Sequence, residues 1–200
     1  MRLLSSDNEL YASFYDLVGM GARRPEDTVI ELRRLITDDI LFPHYRDKIR
    51  FAALSLDGRG ATRWGECSLV LREKTIEDRT TVFEENSVGF TRKRKLGVEK
   101  PTVPPGYRAV WDRRDQLAAA KLEHALRPGM QPQAFAGVML KEGSSPVDDD
   151  FVEVHIYGSL HRKNVARMTI RKPKRKADGA MLKQLEADLS EIGATIETYA

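Results

Sequence analysis

Residues 151–158 have the sequence FVEVHIYG, in which side chains alternate as they do along a β-strand. Successive side chains of a strand point to opposite faces of the sheet. The valines and the isoleucine therefore share one face, whereas Glu153 and His155 share the other face with Phe151 and Tyr157. We predict a half-buried strand that presents Glu153 and His155 together on its polar face.

A carboxylate and an imidazole in this arrangement are suited to acid–base chemistry. Glu153 and His155 lie two residues apart, so either side chain is in reach of a bound molecule as a general base. The carboxylate also suits a ribose hydroxyl beside a stacking ring. Glutamate and histidine are equally common on the solvent face of an antiparallel sheet, so alternation alone leaves both interpretations open.

The segments on either side of this strand predict an α+β fold with a mostly antiparallel sheet, N-terminal helices and inserted helices. Capping residues and apolar spacing predict helices at residues 10–18, 25–40, 109–126 and 181–189. Alternation and β-branched residues predict strands at residues 50–56, 64–73, 79–83, 134–140, 164–171 and 194–199. Residues 84–107 are expected to form a long loop. We predict a helical region at residues 1–45, followed by one α+β domain at residues 46–200.

The composition is that of an aqueous globular protein. The 200 residues include 41% hydrophobic and 32% charged side chains, with a net charge of +3. The one cysteine, Cys67, excludes an internal disulfide and is expected to be a buried thiol. The sequence has neither a secretory signal nor an apolar stretch long enough to span a membrane. We expect a cytoplasmic location, or export without a cleavable signal.

Two arginines at the ends of predicted strands are candidates for binding an anion. Arg79 precedes Thr80, and a guanidinium beside hydroxyls can hold a phosphate through paired hydrogen bonds. Arg79 can equally pair with Glu77 or Glu84. Arg50 opens an earlier strand, where it is placed to hold a phosphate or a carboxylate.

Two basic clusters are candidates for contact with nucleic acid. Arg92 to Lys95 is a run of four basic residues, and residues 171–176 end a longer stretch without an acid. Solvated turns explain both clusters as well, since neither has interleaved aromatic residues. The four histidines and Cys67 show no metal-ligand spacing, so no metal site is predicted.

Three segments together resemble a bacterial domain family of unknown function. The family pairs a strand of the form GxxxLxL with a following RTTF and an acid–serine pair, and related blocks occur in phage-head-associated and polymorphic-toxin domains. The matching residues are Gly65, Leu69, Leu71, Arg79, Thr80, Thr81 and Ser87. A later strand of the family carries a glutamate, a glutamine or histidine, and a glycine, in the places of Glu153, His155 and Gly158. Residues 50–56 resemble the strand before the first block. The sequence departs from the family at Asn86, where the family tends to carry an acid.

The layout is also similar to that of the ADP-ribosyltransferase fold. In that fold an early strand carries a basic residue, a middle strand carries hydroxyls and a late strand carries a glutamate that binds the nicotinamide ribose of NAD. The resemblance implies that Arg50 is the basic residue and Glu153 is the glutamate. It implies that Ser68 or Thr80 and Thr81 supply the hydroxyls.

Three functions remain open from the sequence. The first is an NAD-consuming ADP-ribosyltransferase or glycohydrolase of toxin or effector type, with Glu153 essential and Tyr157 or Trp64 stacking on nicotinamide. The second is a small ribonuclease-type toxin in which His155 is the general base and Arg79 holds the phosphate. The third is a non-enzymatic binding or accessory module of a mobile element.

Overall fold

A computed structural model describes residues 11–24, 29–65, 67–97 and 102–199 and has the α+β class predicted from the sequence. Its helices are α1 (Phe14–Gly19), α2 (Val29–Leu41), α3 (Ser87–Lys93), α4 (Arg114–Leu122), α5 (Pro132–Met139) and α6 (Lys176–Ser190). Its strands are β1 (Ile49–Ala53), β2 (Cys67–Leu71), β3 (Thr80–Phe83), β4 (Arg108–Val110), β5 (Leu140–Lys141), β6 (Asp150–Phe151), β7 (Glu153–Tyr157), β8 (Val165–Arg171) and β9 (Thr195–Tyr199). The predicted start of the second helix, residues 25–27, lies outside the described residues.

The chain divides into two compact units, each built from segments that are separate in sequence. Residues 12–56 and 79–158 form the first, called the four-stranded unit below after its main sheet. Residues 57–78 and 159–199, with Tyr11, form the second, the three-stranded unit. The predicted boundary between residues 45 and 46 lies within the four-stranded unit.

The four-stranded unit has an antiparallel sheet in the order β1-β7-β3-β4, so β7 is an inner strand. The register pairs His155 with Phe51 of β1 and Thr81 of β3, and pairs Glu153 with Phe83 of β3. Paired residues of an antiparallel sheet point to the same face. Aromatic and aliphatic side chains therefore surround the two polar side chains of β7.

Helix α3 lies inside the region predicted to be a long loop, so that prediction is wrong. The Asn86 side chain caps the helix by accepting a hydrogen bond from the Val88 N–H. Phe90 is fully buried in a core cluster that includes Phe42, Ile49 and Phe83. Ser87, Val88, Gly89 and Thr91 of this short helix are buried as well, although its apolar residues do not repeat at helical spacing.

Two further elements differ from their predictions. Residues 134–140 were predicted as a strand, but α5 occupies most of them and begins at Pro132, which suits the first turn of a helix. A short apolar run has no period that separates a strand from a helix. The predicted helix at residues 109–126 begins instead as β4 and becomes α-helical at Arg114.

The three-stranded unit packs one face of the sheet β2-β8-β9 against α6. Strand β8 pairs antiparallel with β2 and parallel with β9. The core contains Met168 and Ile170 of β8 with Leu185 and Leu189 of α6. Cys67 is exposed at the start of β2, so the prediction of a buried thiol is wrong. Among the described residues, no helix is long and apolar enough to cross a membrane.

The turn at residues 57–60 lies on the other face of this sheet. Gly58 has φ +74°, and a Cβ atom there would lie 2.2 Å from the Arg167 guanidinium nitrogen and 2.7 Å from Val70. Arg167 also donates a hydrogen bond to the Asp57 carbonyl at 3.1 Å. This turn therefore needs glycine both for its backbone and for its contact with the sheet.

Candidate functional site

Strand β7 is buried on both faces, which corrects the prediction that Glu153 and His155 lie on a polar, half-buried face. Only 3% of Glu153 and 2% of His155 is accessible to solvent. Helices α2 and α3 supply the residues that contact this face, and the Thr37 and Thr91 hydroxyls join the two helices at 2.8 Å. Alternation correctly predicts that Glu153 and His155 share a face, but the helices that cover it are distant in the sequence.

The Glu153 carboxylate has partners at both oxygens. Its Oε1 accepts a hydrogen bond from Arg34 Nη1 at 3.1 Å, and its Oε2 accepts one from the Ser87 backbone N–H at 2.8 Å. Burial by itself would raise the pKa of Glu153. The Arg34 charge, the nearby His155 imidazole and the hydrogen bond from Ser87 outweigh burial and hold that pKa well below its usual range. Glu153 is therefore an ionised carboxylate in the interior.

Arg34 connects two carboxylates and an aromatic ring. Its Nε lies 2.8 Å from Asp38 Oδ1, one turn further along α2, while its Nη1 binds Glu153. The guanidinium carbon lies 3.5 Å from the centroid of the Phe51 ring, which is the geometry of a cation–π contact. About a quarter of the side chain is exposed, at 24%. The site therefore holds a flat cation, the Arg34 guanidinium. It stacks on the Phe51 ring, pairs with Glu153 and Asp38, and is only partly exposed.

Asp38 is the most buried acid of this cluster. Its Oδ2 accepts a hydrogen bond from the Tyr15 hydroxyl at 2.7 Å, and no part of the residue is exposed. Burial raises the pKa of Asp38 to about 6, although Arg34 and Tyr15 act in the opposite direction. The same burial, together with the Asp38 charge, raises the pKa of Tyr15.

His155 lies in an aromatic enclosure. Its ring centroid is 4.8 Å from that of Phe42, 5.5 Å from that of Phe51 and 5.8 Å from that of Phe83. Its Nε2 is 3.3 Å from Glu153 Oε2. Burial lowers the pKa of His155 despite this carboxylate, so the imidazole is neutral at physiological pH. These contacts place His155 as a packing partner of the cluster rather than as a base open to solvent.

Arg50 and Thr80 do not lie beside Glu153, although the resemblance to the ADP-ribosyltransferase fold implies roles for all three in one site. Both residues pair with Ile156, so their side chains point to the face opposite Glu153 and His155. Arg50 instead binds Asp16 at 2.8 Å, and Thr80 is buried. Thr81, which pairs with His155, is the threonine on the Glu153 face.

The remaining predicted residues have other contacts. The Arg79 guanidinium donates a hydrogen bond to the Tyr157 carbonyl, and the Tyr157 side chain is largely exposed. Ser68 belongs to the three-stranded unit, where its hydroxyl accepts a hydrogen bond from the Gly60 N–H at 2.9 Å. The sequence prediction thus grouped residues that the fold distributes over several surfaces.

Two of the four cations in the first basic cluster pair with acids. Arg92 binds Asp148 at 2.6 Å, Lys93 binds Glu85, and Arg94 donates to the Tyr107 hydroxyl. These partners favour the interpretation of residues 92–95 as part of a solvated surface.

Sequence reasoning missed Arg34, Asp38 and Tyr15. An arginine and an aspartate four residues apart on α2 are a detectable helix pair, but such pairs are common on exposed helix faces. Burial of this pair against β7 depends on contacts across 119 residues of sequence, from Arg34 to Glu153. Periodicity within a single element carries no information about such a contact.

The described residues contain no group of three or more His, Cys, Asp or Glu side chains placed to hold a metal ion. Comparison with models of protein families, with curated proteins and with solved structures found no match to this chain.

Proposed function

We propose that this protein is an NAD-consuming, ADP-ribosyltransferase-like enzyme of toxin or effector type, with Glu153 as its key carboxylate. One observation carries the proposal: Glu153 is kept ionised in the interior and holds a flat, singly charged group that is stacked on Phe51. The nicotinamide ring of NAD is also a flat cation, and a ribosyl cation develops when it leaves. A pre-organised carboxylate in a site of low polarity stabilises such a charge strongly.

The two strongest parts of the sequence resemblance meet at this carboxylate. Ser87 ends the first matching block and Glu153 belongs to the last, and the Ser87 N–H donates to Glu153 Oε2 at 2.8 Å. This contact orients the carboxylate independently of Arg34, which binds the other oxygen. It supports a shared site for the two blocks.

In the proposed reaction the bond between the ribose carbon and the nicotinamide nitrogen breaks. Nicotinamide leaves as a neutral molecule with the electron pair of that bond. Water or a nucleophile of the acceptor forms the new bond to the ribose carbon and releases its proton to solvent. Glu153 stays ionised throughout, because the positive charge of the nicotinamide and then of the ribosyl group replaces that of Arg34, the main cause of its lowered pKa.

Substrate can reach Glu153 only after the Arg34 side chain moves away. Arg34 is the partly exposed member of the pair, and its guanidinium fills the place proposed for nicotinamide. We therefore expect slow turnover in the isolated protein, with Arg34 competing against NAD for the carboxylate.

The test is release of nicotinamide from NAD by the purified protein, followed by chromatography. Glu153→Gln should abolish release, because the amide keeps the shape and the hydrogen bond from Ser87 but has no charge. Arg34→Ala should raise the rate of release about tenfold or more, because the Arg34 guanidinium no longer competes with NAD for the Glu153 carboxylate. Glu186→Gln, at an exposed position on α6, is the matched control and should behave as the wild type. Thermal melting of every variant confirms that it is folded at the assay temperature.

Retention of nicotinamide release in Glu153→Gln refutes the enzymatic proposal. Absence of release from both the wild type and a folded Arg34→Ala variant favours the second candidate, a non-enzymatic binding module. The burial of Glu153 is the observation that favours this candidate. The enclosure of His155 argues against a nuclease that uses its imidazole as the general base.

A further inference from the structure

One end of the sheet in the three-stranded unit collects residues from three separate segments. Strand β2 begins at Cys67 opposite Ile170, near the end of β8, and Arg171 pairs with Tyr199 at the end of β9. The start of β2 and the ends of β8 and β9 therefore lie at the same end of the sheet. We call this region the basic end, and it also includes the turn before β2, in which Trp64 lies three residues ahead of Cys67.

The basic end is rich in exposed cations. The exposed side chains are Arg59, Arg63, Arg171, Lys172, Lys174 and Arg175. The Arg59 guanidinium lies 5.3 Å from the centroid of the Tyr199 ring, and the Lys172 N–H donates to the Tyr199 carbonyl at 2.8 Å. These contacts join the turn at residues 57–60, the segment after β8 and the last strand into one surface.

Two aromatic side chains accompany the charges. Trp64 is 66% exposed, which is unusual for a residue of its size, and it follows Arg63 directly. Tyr199 is half-buried beneath Arg59. The sequence alone showed no aromatic residue within either basic cluster. In the fold Tyr199 pairs with Arg171, and Trp64 lies three residues before Cys67, at which β2 begins at this end of the sheet.

The cations of the basic end stay exposed even where an acid is near. Arg175 approaches Asp178 at 3.6 Å and keeps 86% of its side chain exposed. In the cluster at residues 92–95, by contrast, Arg92 and Lys93 both contact acids. The two clusters have similar sequences, yet only the basic end combines exposed cations with an exposed aromatic ring.

We propose that the basic end binds single-stranded nucleic acid. Lysine and arginine side chains would contact successive phosphates, and the Trp64 ring would stack on an unpaired base. A double helix offers phosphates but keeps its bases stacked inside, so it would use the charges and not the ring. The basic end belongs to the three-stranded unit and Glu153 to the four-stranded unit, and the inference does not depend on the proposed NAD chemistry.

The binding test uses fluorescence anisotropy of labelled twelve-nucleotide oligo(U) and oligo(dT), with a duplex of the same length for comparison. We expect both single strands to bind more tightly than the duplex. Two charge reversals, Lys172→Glu with Lys174→Glu, should weaken binding about tenfold or more. They should also reduce the slope of log affinity against log salt by about 1.4, since each single-strand phosphate contact contributes about 0.7.

The second basic cluster provides the matched control. Arg92→Glu with Lys93→Glu makes the same change in net charge, and it should leave affinity within about twofold of the wild type. Trp64→Ala should weaken binding roughly tenfold, as loss of one stacked base does in other single-strand sites. Trp111 is buried, so quenching of tryptophan emission on binding should be lost in Trp64→Ala.

Absence of binding by the wild type overturns the inference. Equal losses in the two charge-reversal variants also overturn it, because they would show a response to net charge rather than to this surface. Duplex binding as tight as single-strand binding, unchanged by Trp64→Ala, would show that the ring has no part in binding and would overturn it as well.

Discussion

At the scale of single residues, the chemistry of Glu153 is set by side chains that lie far from it in the sequence. Alternation along β7 correctly makes Glu153 and His155 neighbours. It is silent on Arg34, which supplies the opposite charge, and on Ser87, which fixes one carboxylate oxygen. Predicting the strand was therefore possible, whereas predicting the environment of its carboxylate required the positions of two helices.

The Arg34 guanidinium can be tested as a replaceable ligand. Arg34→Ala leaves the buried carboxylates of Glu153 and Asp38 without their common cation, so we expect the free energy of unfolding to fall by about 3 kcal/mol. The side chain leaves a space that suits free guanidinium. Guanidinium chloride at about 20 mM should therefore raise the melting temperature of this variant, although the same salt destabilises most proteins.

Arg33→Ala is the control for this experiment, because Arg33 is exposed at the neighbouring position of α2. Guanidinium should give it no gain in melting temperature over an equal concentration of sodium chloride. If Arg34→Ala also gains nothing from guanidinium, the cluster does not form a binding site for a flat cation.

At the scale of elements, the sequence predicts best where one pattern extends over a whole strand or helix. Strand β8 and helix α6 were predicted because alternation in one and helical spacing in the other continue over most of their length. Helix α3 was missed because its apolar residues do not repeat at helical spacing and most of its residues are buried by tertiary contacts, and α5 because a short apolar run has no distinctive period. Short elements of this kind are stabilised by tertiary packing more than by local preference.

The turn that carries Gly58 gives a prediction for one element. Gly58→Ala adds a Cβ in a left-handed backbone conformation and against Arg167 and Val70, so we expect it to destabilise the protein by about 2–3 kcal/mol. Gly129 has a similar φ of +81° but nothing within 4 Å of its added Cβ. Gly129→Ala should therefore cost only about 1 kcal/mol for backbone strain. Urea denaturation measures both, and equal losses would show that contact with the sheet adds nothing.

At the scale of the whole molecule, the order of segments in the chain differs from their grouping in space. Strands β1 and β2 follow each other in sequence but belong to different sheets, while β1 pairs with the much later β7. The α+β class follows from the mixture of patterns in the sequence. The assignment of segments to two units does not follow from those patterns. It depends on which strands pair, and strands with similar alternation carry no pattern that selects one partner over another.

The dependence of global stability on pH should reveal two buried carboxylates with opposite behaviour. The folded-state pKa of Asp38 is raised to about 6, above its ordinary value of 3.8, so the folded protein takes up a proton before the unfolded chain does. The free energy of unfolding should therefore rise as pH falls from about 7 to 4.5. The pKa of Glu153 is lowered, so its contribution is present above its ordinary value of 4.5 and is lost at lower pH.

Asp38→Asn separates these two contributions, because it removes the proton uptake and leaves Glu153 in place. We expect the rise in unfolding free energy of roughly 2 kcal/mol between pH 7 and 4.5 to disappear in this variant, while the decline at lower pH remains. Urea denaturation at intervals of half a pH unit gives both profiles. Asp39→Asn changes an exposed acid on the same helix and should keep the wild-type profile. A wild-type profile in Asp38→Asn would mean that Asp38 titrates near its ordinary pKa, and that Arg34 compensates its burial fully.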